Sequence, residues 1–460
     1  MEYLALLALT LAGTWLALPL GRGAGMVVAG RLGQGFLIAA LLAGYAASLF
    51  ERHGITAYAL PLLVALGIAA LAALVREIRG APPRGTREAR APFALLGLLA
   101  VLVAAHFGLA ALEVRDRAPF AWDAWTNWLF RARAWFLEPG VAFSPVPASS
   151  PSENPLQVPG AHYPAAIPGL VAWLARCGGE WRVHRVLLAW PIAYVAATCA
   201  FAALADHVLR SRRVAVLAAC ALASTPLVAT HAMLAGYADL WLMGALVVCA
   251  GAAFAWRSGA RPDPRIALAL LLPLLVKIEG LVWVALMIAA IGIAWRPRLV
   301  GAIVAAAVAT GVAATLLWPG GIHLLGDRLV LSAELLRIPY LGETPLGVNP
   351  VLAPLARATL LGATFGVSLW AVLAAAMSWP VLRRAQLPRR GQEREAWHAV
   401  ALFAAGASAF ALALFTFTVA GRWAIDHTSL SRVLMQVLPA FLLVAARVFE
   451  PLDPRAAVPH

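Results

Sequence analysis

The sequence predicts an all-α polytopic membrane protein: a bundle of about thirteen apolar segments, with amphipathic juxtamembrane helices in a long first outer loop. Three observations carry this expectation. Of the 460 residues, 62% are hydrophobic and only 13% are charged, whereas a soluble domain is roughly 25% charged. Apolar runs near the ~20 residues needed to cross about 30 Å of hydrocarbon recur along almost the whole chain. These runs are apolar on all sides, as in 55–75, where a membrane-barrel strand would alternate in segments of about ten residues. A water-soluble globule and a barrel are both excluded.

In chain order the runs lie at 3–20, 32–50, 55–75, 92–112, 186–205, 214–234, 239–256, 266–276, 280–295, 299–318, 358–382, 397–420 and 433–449. Before the first stands Met-Glu-Tyr with no basic stretch, so it reads as a retained helix and not a cleaved signal. The run 266–276 is too short to cross alone. With 280–295 it forms either two full spans or two short helices meeting at a break. The chain divides into N-terminal membrane helices (1–91), a membrane core (92–449) with outer loops 113–185 and 319–357, and a cytoplasmic tail (450–460).

Arginine fixes the sidedness, because basic residues in short loops stay cytoplasmic. Arg22 and Arg31, the cluster Arg76 to Arg90, Arg210 to Arg213, Arg257 to Arg265, Arg296 with Arg298, and Arg383 to Arg394 all fall on one side of the alternation. The N-terminus is therefore expected outside and the C-terminus inside, in the cell inner (plasma) membrane. The net charge of +14 comes from 36 Lys+Arg against 22 Asp+Glu, and Lys277 is the single lysine. Arginines in short loops meet lipid headgroups, so the basicity points to the bilayer as partner and not to nucleic acid. Cys199, Cys220 and Cys249 lie inside apolar runs and Cys177 stands alone, which gives no disulfide or metal spacing.

Five polar features stand out, and all come out on the outer face. The first is Phe120-Ala121-Trp122-Asp123-Ala124-Trp125-Thr126-Asn127-Trp128. Positions 125, 128, 129, 132, 135 and 136 share one helical face, which predicts an amphipathic helix along the membrane surface. Asp123 at its mouth is suited to general-base work, and Trp122 and Trp125 to packing on a sugar ring; the alternative is a helix cap beside an interfacial Trp belt. The second is His162-Tyr163-Pro164, where a lone loop histidine is more often structural. Third, in Gly236-Tyr237-Ala238-Asp239, Asp239 is most simply the N-cap of the next helix. Fourth, Lys277-Ile278-Glu279-Gly280 puts two ionisable groups between apolar runs, where burial costs several kcal/mol without partners. Residues two apart do not face each other on a helix, so this is read as a helix break and not a simple pair. A lone lysine in an arginine-rich chain points to a compact ammonium; the alternative is an internal ion pair with Asp239 or another acid. Fifth, His427 and Arg432 precede the last run. Arg432 is placed to grip a phosphate bidentately, unless it merely snorkels.

On these motifs the chain resembles the GT-C superfamily of membrane glycosyltransferases, including bacterial relatives of protein mannosyltransferases and the lipid A aminoarabinose transferase. The resemblance covers about 92–449. It implies a catalytic aspartate in the first large outer loop, matched by Asp123, and basic residues at the donor phosphate, matched by Lys277 and Arg432. Trp122, Trp125, His162, Tyr163, Tyr237, Asp239, Glu279 and His427 are the remaining substrate-site candidates. It also implies a polyprenyl-phosphate-linked sugar as donor, a glycan, lipid or protein acceptor, and no soluble cofactor or metal. The sequence departs from the family in having a single Asp between tryptophans, no DxD, and Ile278 at an expected polar position. Two other readings stand beside this one: a transporter or lipid flippase, and an O-antigen polymerase or ligase.

Overall fold

A computed structural model describes residues 1–21, 24–79, 93–144, 156–158, 160–256, 263–296, 322–324, 329–331, 335–338, 342–361, 364–382, 391–426 and 429–452. The run 299–318, His427, most of the tail and many of the loop arginines lie outside these residues. Every other apolar run falls on a helix. In order these are α1 (Glu2–Gly13), α2 (Ala24–Arg52), α3 (Ala59–Arg79), α4 (Phe93–Asp116), α5 (Leu129–Leu137), α6 (Ala166–Gly178), α7 (Val183–Val186), α8 (Ala189–Val208), α9 (Arg212–Ala223), α10 (Pro226–Met233), α11 (Asp239–Ala255), α12 (Pro264–Leu271), α13 (Glu279–Trp295), α14 (Leu352–Ala356), α15 (Val367–Leu382), α16 (Gly391–Phe417), α17 (Gly421–Ile425) and α18 (Leu430–Phe449).

Two expectations are met only in part. Among the described residues, five helices are long and apolar enough to cross a membrane, or six if α9 and α10, bent by 51°, count as one. Apart from α3, whose apolar stretch Ala59–Ala73 is part of a 21-residue helix, most of the remaining apolar runs there form helices of 10–17 residues, short of the ~20 that a perpendicular crossing requires. The chain is also nearly, not wholly, α-helical. Within 319–357, Ile322–Leu324, Leu329–Leu331, Leu335–Ile338 and Gly342–Pro345 pair as a four-stranded antiparallel meander, where segments too short for a helix satisfy their backbone groups between strands.

The first helices are threaded into the core, since α2 packs against both α6 and α8. Glycine sets the closeness of that packing. A Cβ on Gly44 would lie 2.1 Å from the Ala166 carbonyl oxygen, and one on Gly169 would lie 2.0 Å from that of Gly44. Small residues let membrane helices approach backbone to backbone. Gly44→Val is therefore expected to destabilise the bundle by about 1–3 kcal/mol through overpacking, measured as a lower unfolding temperature in detergent; an unchanged midpoint would contradict this crossing. Beside it the buried Glu51 accepts from Tyr58 Oη at 2.7 Å and Arg176 Nη2 at 2.9 Å, and Arg176 also donates to the Trp135 carbonyl. This knot joins α2, α5 and α6.

The two ends of the bundle differ. Helix α18 has 20 residues, about 30 Å of rise, and separates Arg432 near its start from Glu450 just past its end. Glu450 accepts from the Ser211 backbone N–H at 3.3 Å and from Arg447 at 3.0 Å, and Arg212 meets Asp206 at 3.0 Å. The 210–213 arginines are thus at one end. Helix α11 and helix α13 both run toward that end, where Trp256 and Trp295 meet edge to face at 5.2 Å. Their starts, and the start of α18, lie at the other.

Candidate active site

The short α12 continues as a 3-10 turn, Leu272–Leu275, before the chain reverses into α13. Gly280 is needed at this reversal, because a Cβ there would fall 2.1 Å from the Pro273 carbonyl oxygen. Lys277 is left at the point of the hairpin. Its Nζ lies 3.1 Å from Asp239 and 3.0 Å from Glu279. The break read from sequence is present, yet Lys277 and Glu279 do pair, since the intervening backbone is not the regular helix that would point them apart. The pairing with Asp239 is the internal ion pair that had been the alternative for Lys277.

Asp239 is not the expected N-cap. It is the first residue of α11, makes no capping bond, and is wholly buried. Its carboxylate instead accepts from Lys277, from Gln436 Nε2 at 2.6 Å, and from Arg432 Nε and Nη2 at 2.9 and 2.6 Å. Four donated hydrogen bonds from three side chains use up its lone pairs and draw α11, the turn before α13, and α18 together. Gly236, at φ +118°, lets the preceding turn reach the Asp123 segment, where an added Cβ would meet that of Ala124 at 2.5 Å.

Arg432 bridges two acids: the same Nη2 that contacts Asp239 also donates to Asp123. Its guanidinium lies 4.3 Å from the Tyr237 ring centroid. A cation in the first turn of a helix opposes the macrodipole, so Arg432 owes its place to these carboxylates and the ring. It does not snorkel. Asp123 likewise makes no capping bond, and its side chain is 25% exposed against 1% for Asp239. Within the cluster, then, Asp239 is the sealed carboxylate and Asp123 an open one. Glu279 is open to a similar degree, and its Oε2 has no hydrogen-bond partner.

Tyr163 closes one wall, its ring centroid 5.8 Å from Lys277 Nζ, with His162 stacked on it at 4.6 Å and Trp128 at 5.4 Å. Burial, then the charge of Glu279, pushes the Tyr163 hydroxyl up to about 12, while burial above all holds His162 below its ordinary value. The two tryptophans singled out from sequence do not join this wall. Trp122 is 72% and Trp125 58% exposed, whereas Trp128, Leu129, Ala132 and Trp135 are buried. The cause is a π-helical turn, Ala124–Trp128, whose i→i+5 bonding adds a residue and rotates Trp125 off the face that a period of 3.6 assigns to it.

The structure thus brings Asp123, Lys277, Arg432, Asp239, Glu279, Tyr237, Tyr163 and His162 into one cluster at one end of the bundle. Sequence reading missed Gln436, which also accepts from Trp283 Nε1 at 2.8 Å. Its signal was available: it lies one helical turn beyond Arg432 in an otherwise apolar run. Among the described residues no group of His, Cys, Asp and Glu is arranged to hold a metal ion. A cavity of about 480 Å³ bordered by Glu113, Arg117, Phe120 and Ala235 adjoins the Asp123 segment. No protein-family model, curated protein or solved structure matches the chain.

Proposed function

We propose that the chain is a GT-C-like membrane glycosyltransferase that moves a sugar from a polyprenyl-phosphate donor to an acceptor hydroxyl at the extracytoplasmic face, with inversion and without a metal. The observation that carries this reading is the open carboxylate of Asp123 held against Arg432, in a cluster that Asp239 ties to the second cation, Lys277. A transporter would place its ionisable groups near the midplane in repeated helices; here they gather at one end of the bundle beside the loop-borne Asp123 and His162–Tyr163 segments. An apolar cavity of about 380 Å³ lines α18 from Leu430 to Phe441, beginning two residues from Arg432. That is room for part of a prenyl chain beside a phosphate-binding group.

In this mechanism the donor phosphate takes the place of Asp123 at Arg432. The freed carboxylate accepts the acceptor's hydroxyl proton, the hydroxyl oxygen bonds to the anomeric carbon, and the bond from that carbon to the phosphate oxygen breaks with its electron pair. Polyprenyl phosphate leaves carrying added negative charge. A cation 4 Å away is worth about 4 kcal/mol in gross Coulomb energy at an effective dielectric of about 20, and only the part gained in the transition state speeds the reaction. Asp239 keeps Arg432 and Lys277 fixed while this happens.

Removing the gene should leave a polyprenyl-linked sugar to accumulate and a surface glycan, lipid or protein without its sugar; identical lipid-linked pools and surface carbohydrate in both strains would refute the proposal. Arg432→Lys keeps the charge but loses the fork that reaches two acids. It is expected to raise the donor KM by about 10-fold or more, consistent with ~1.5–3 kcal/mol for a hydrogen bond to a charged group. Unchanged donor kinetics would remove Arg432 from the phosphate site.

A further inference from the structure

Arg131, on α5, is a charge with no opposite charge beside it. Its side chain is 1% exposed, and among the described residues no carboxylate pairs with it. Nη1 donates to Asn127 Oδ1 at 3.3 Å, to the Gly160 carbonyl at 3.3 Å and to the Tyr163 carbonyl at 3.1 Å, while Nε has no partner. The guanidinium also lies 5.7 and 5.6 Å from the ring centroids of Trp135 and Phe143. Burial, then the charge of Arg52, pushes it down to about 10, which still leaves a cation at neutral pH. An uncompensated buried ion is strongly unfavourable, and an apolar side chain of similar volume fills such a place at lower cost. Packing alone does not account for an arginine here.

Its three acceptors explain it. Asn127 belongs to the π-helical turn that Asp123 precedes, and Gly160 and Tyr163 flank His162. One guanidinium therefore joins the two loop-borne parts of the cluster. Independent contacts show how tight that junction is: a Cβ on Gly160 would meet the Asn127 side chain at 2.4 Å, and Trp128 packs on Tyr163. Tyr163 in turn faces Lys277. We propose that Arg131 is a positioning residue, a clamp that fixes the His162–Tyr163 turn to the helix entered at Asp123 and so sets the separation between the Asp123 carboxylate and the Lys277–Glu279 pair. The clamp stands on geometry; its kinetic consequence rests on the transferase reading.

The clamp can be tested without a substrate. In the full-length protein in detergent, diethyl pyrocarbonate modifies the neutral form of each histidine, and peptide mass spectrometry reads His162 against pH. The groups facing His162 are Arg131 on α5, Glu279 on α13 and the stacked Tyr163 ring. The wild-type midpoint should lie below about 6.5, the ordinary histidine value. In Arg131→Met it should move up, because both the cation and the enclosure are lost, with Arg131→Lys between the two. Gly160→Ala pushes the turn off Asn127 without removing the charge and should move it up as well; this variant carries the test if Arg131→Met does not fold. An unchanged His162 midpoint in the folded variants overturns the clamp. In transfer assays with a polyprenyl-phosphate-linked sugar, both variants should lose kcat about 10-fold or more with little change in donor KM, as expected for misplaced reacting groups. A shifted midpoint in a protein whose wild type transfers no sugar supports the clamp and counts against the transferase reading instead.

Discussion

Asp123→Asn is expected to lower sugar transfer by at least about 100-fold and up to ~10⁴-fold, the range that a positioned general base contributes, while the protein remains folded. The amide oxygen can still accept from Arg432, but the amide takes up no proton from an attacking hydroxyl. Folding should survive because Asp123 caps no helix and its side chain is partly exposed. The measurement is transfer from a polyprenyl-phosphate-linked sugar in reconstituted vesicles, beside the unfolding temperature of the same sample. Retained transfer at wild-type stability would reject Asp123 as the base and favour the O-antigen ligase reading, which relies on arginines in outer loops.

Asp239→Ala should do the opposite and damage the fold itself. It takes from Lys277 and Arg432, whose side chains are 6% and 18% exposed, the buried acid that both share, leaving each with a single, more exposed carboxylate, Glu279 or Asp123. Breaking a buried pair by removing one partner costs about 3–5 kcal/mol. Loss of monodisperse protein in detergent, or a large fall in unfolding temperature, is the expected result. Adding Lys277→Met to the Asp239→Ala chain removes one of the two cations and should recover part of the loss, a coupling that a double-mutant cycle measures. Equal stability of the single variant and the wild type would show that Asp239 does not organise the cluster.

Much of this was legible in the sequence because it depends on local pattern. Apolar runs gave helices, and Asp239, Lys277 and Arg432 stood out as charges where apolar surroundings make them expensive. The sequence placed them on one face by counting crossings between arginine loops, and the structure brings them to one end of the bundle. What was not legible depends on contacts made across the chain. Asp239 has the spacing of a cap, and only packing against residues 38 and 193 positions away converts it into a hub. Trp125 was assigned to the wrong face because no periodicity rule anticipates a π-turn. Arg131 was not singled out from the sequence, since its burial depends on a turn formed some 30 residues later. The strands near 322–345 were hidden inside a segment treated only as an outer loop.

The hairpin that carries Lys277 has a consequence for the lipid around it. Its returning arm, α13, has 17 residues, about 25 Å of rise, against a hydrocarbon slab of about 30 Å. Such hydrophobic mismatch is relieved by local thinning of the bilayer. The leaflet should dimple toward the hairpin tip, which on the proposed transferase reading would let a carrier lipid's headgroup descend to the ammonium without its chain having to leave the oil.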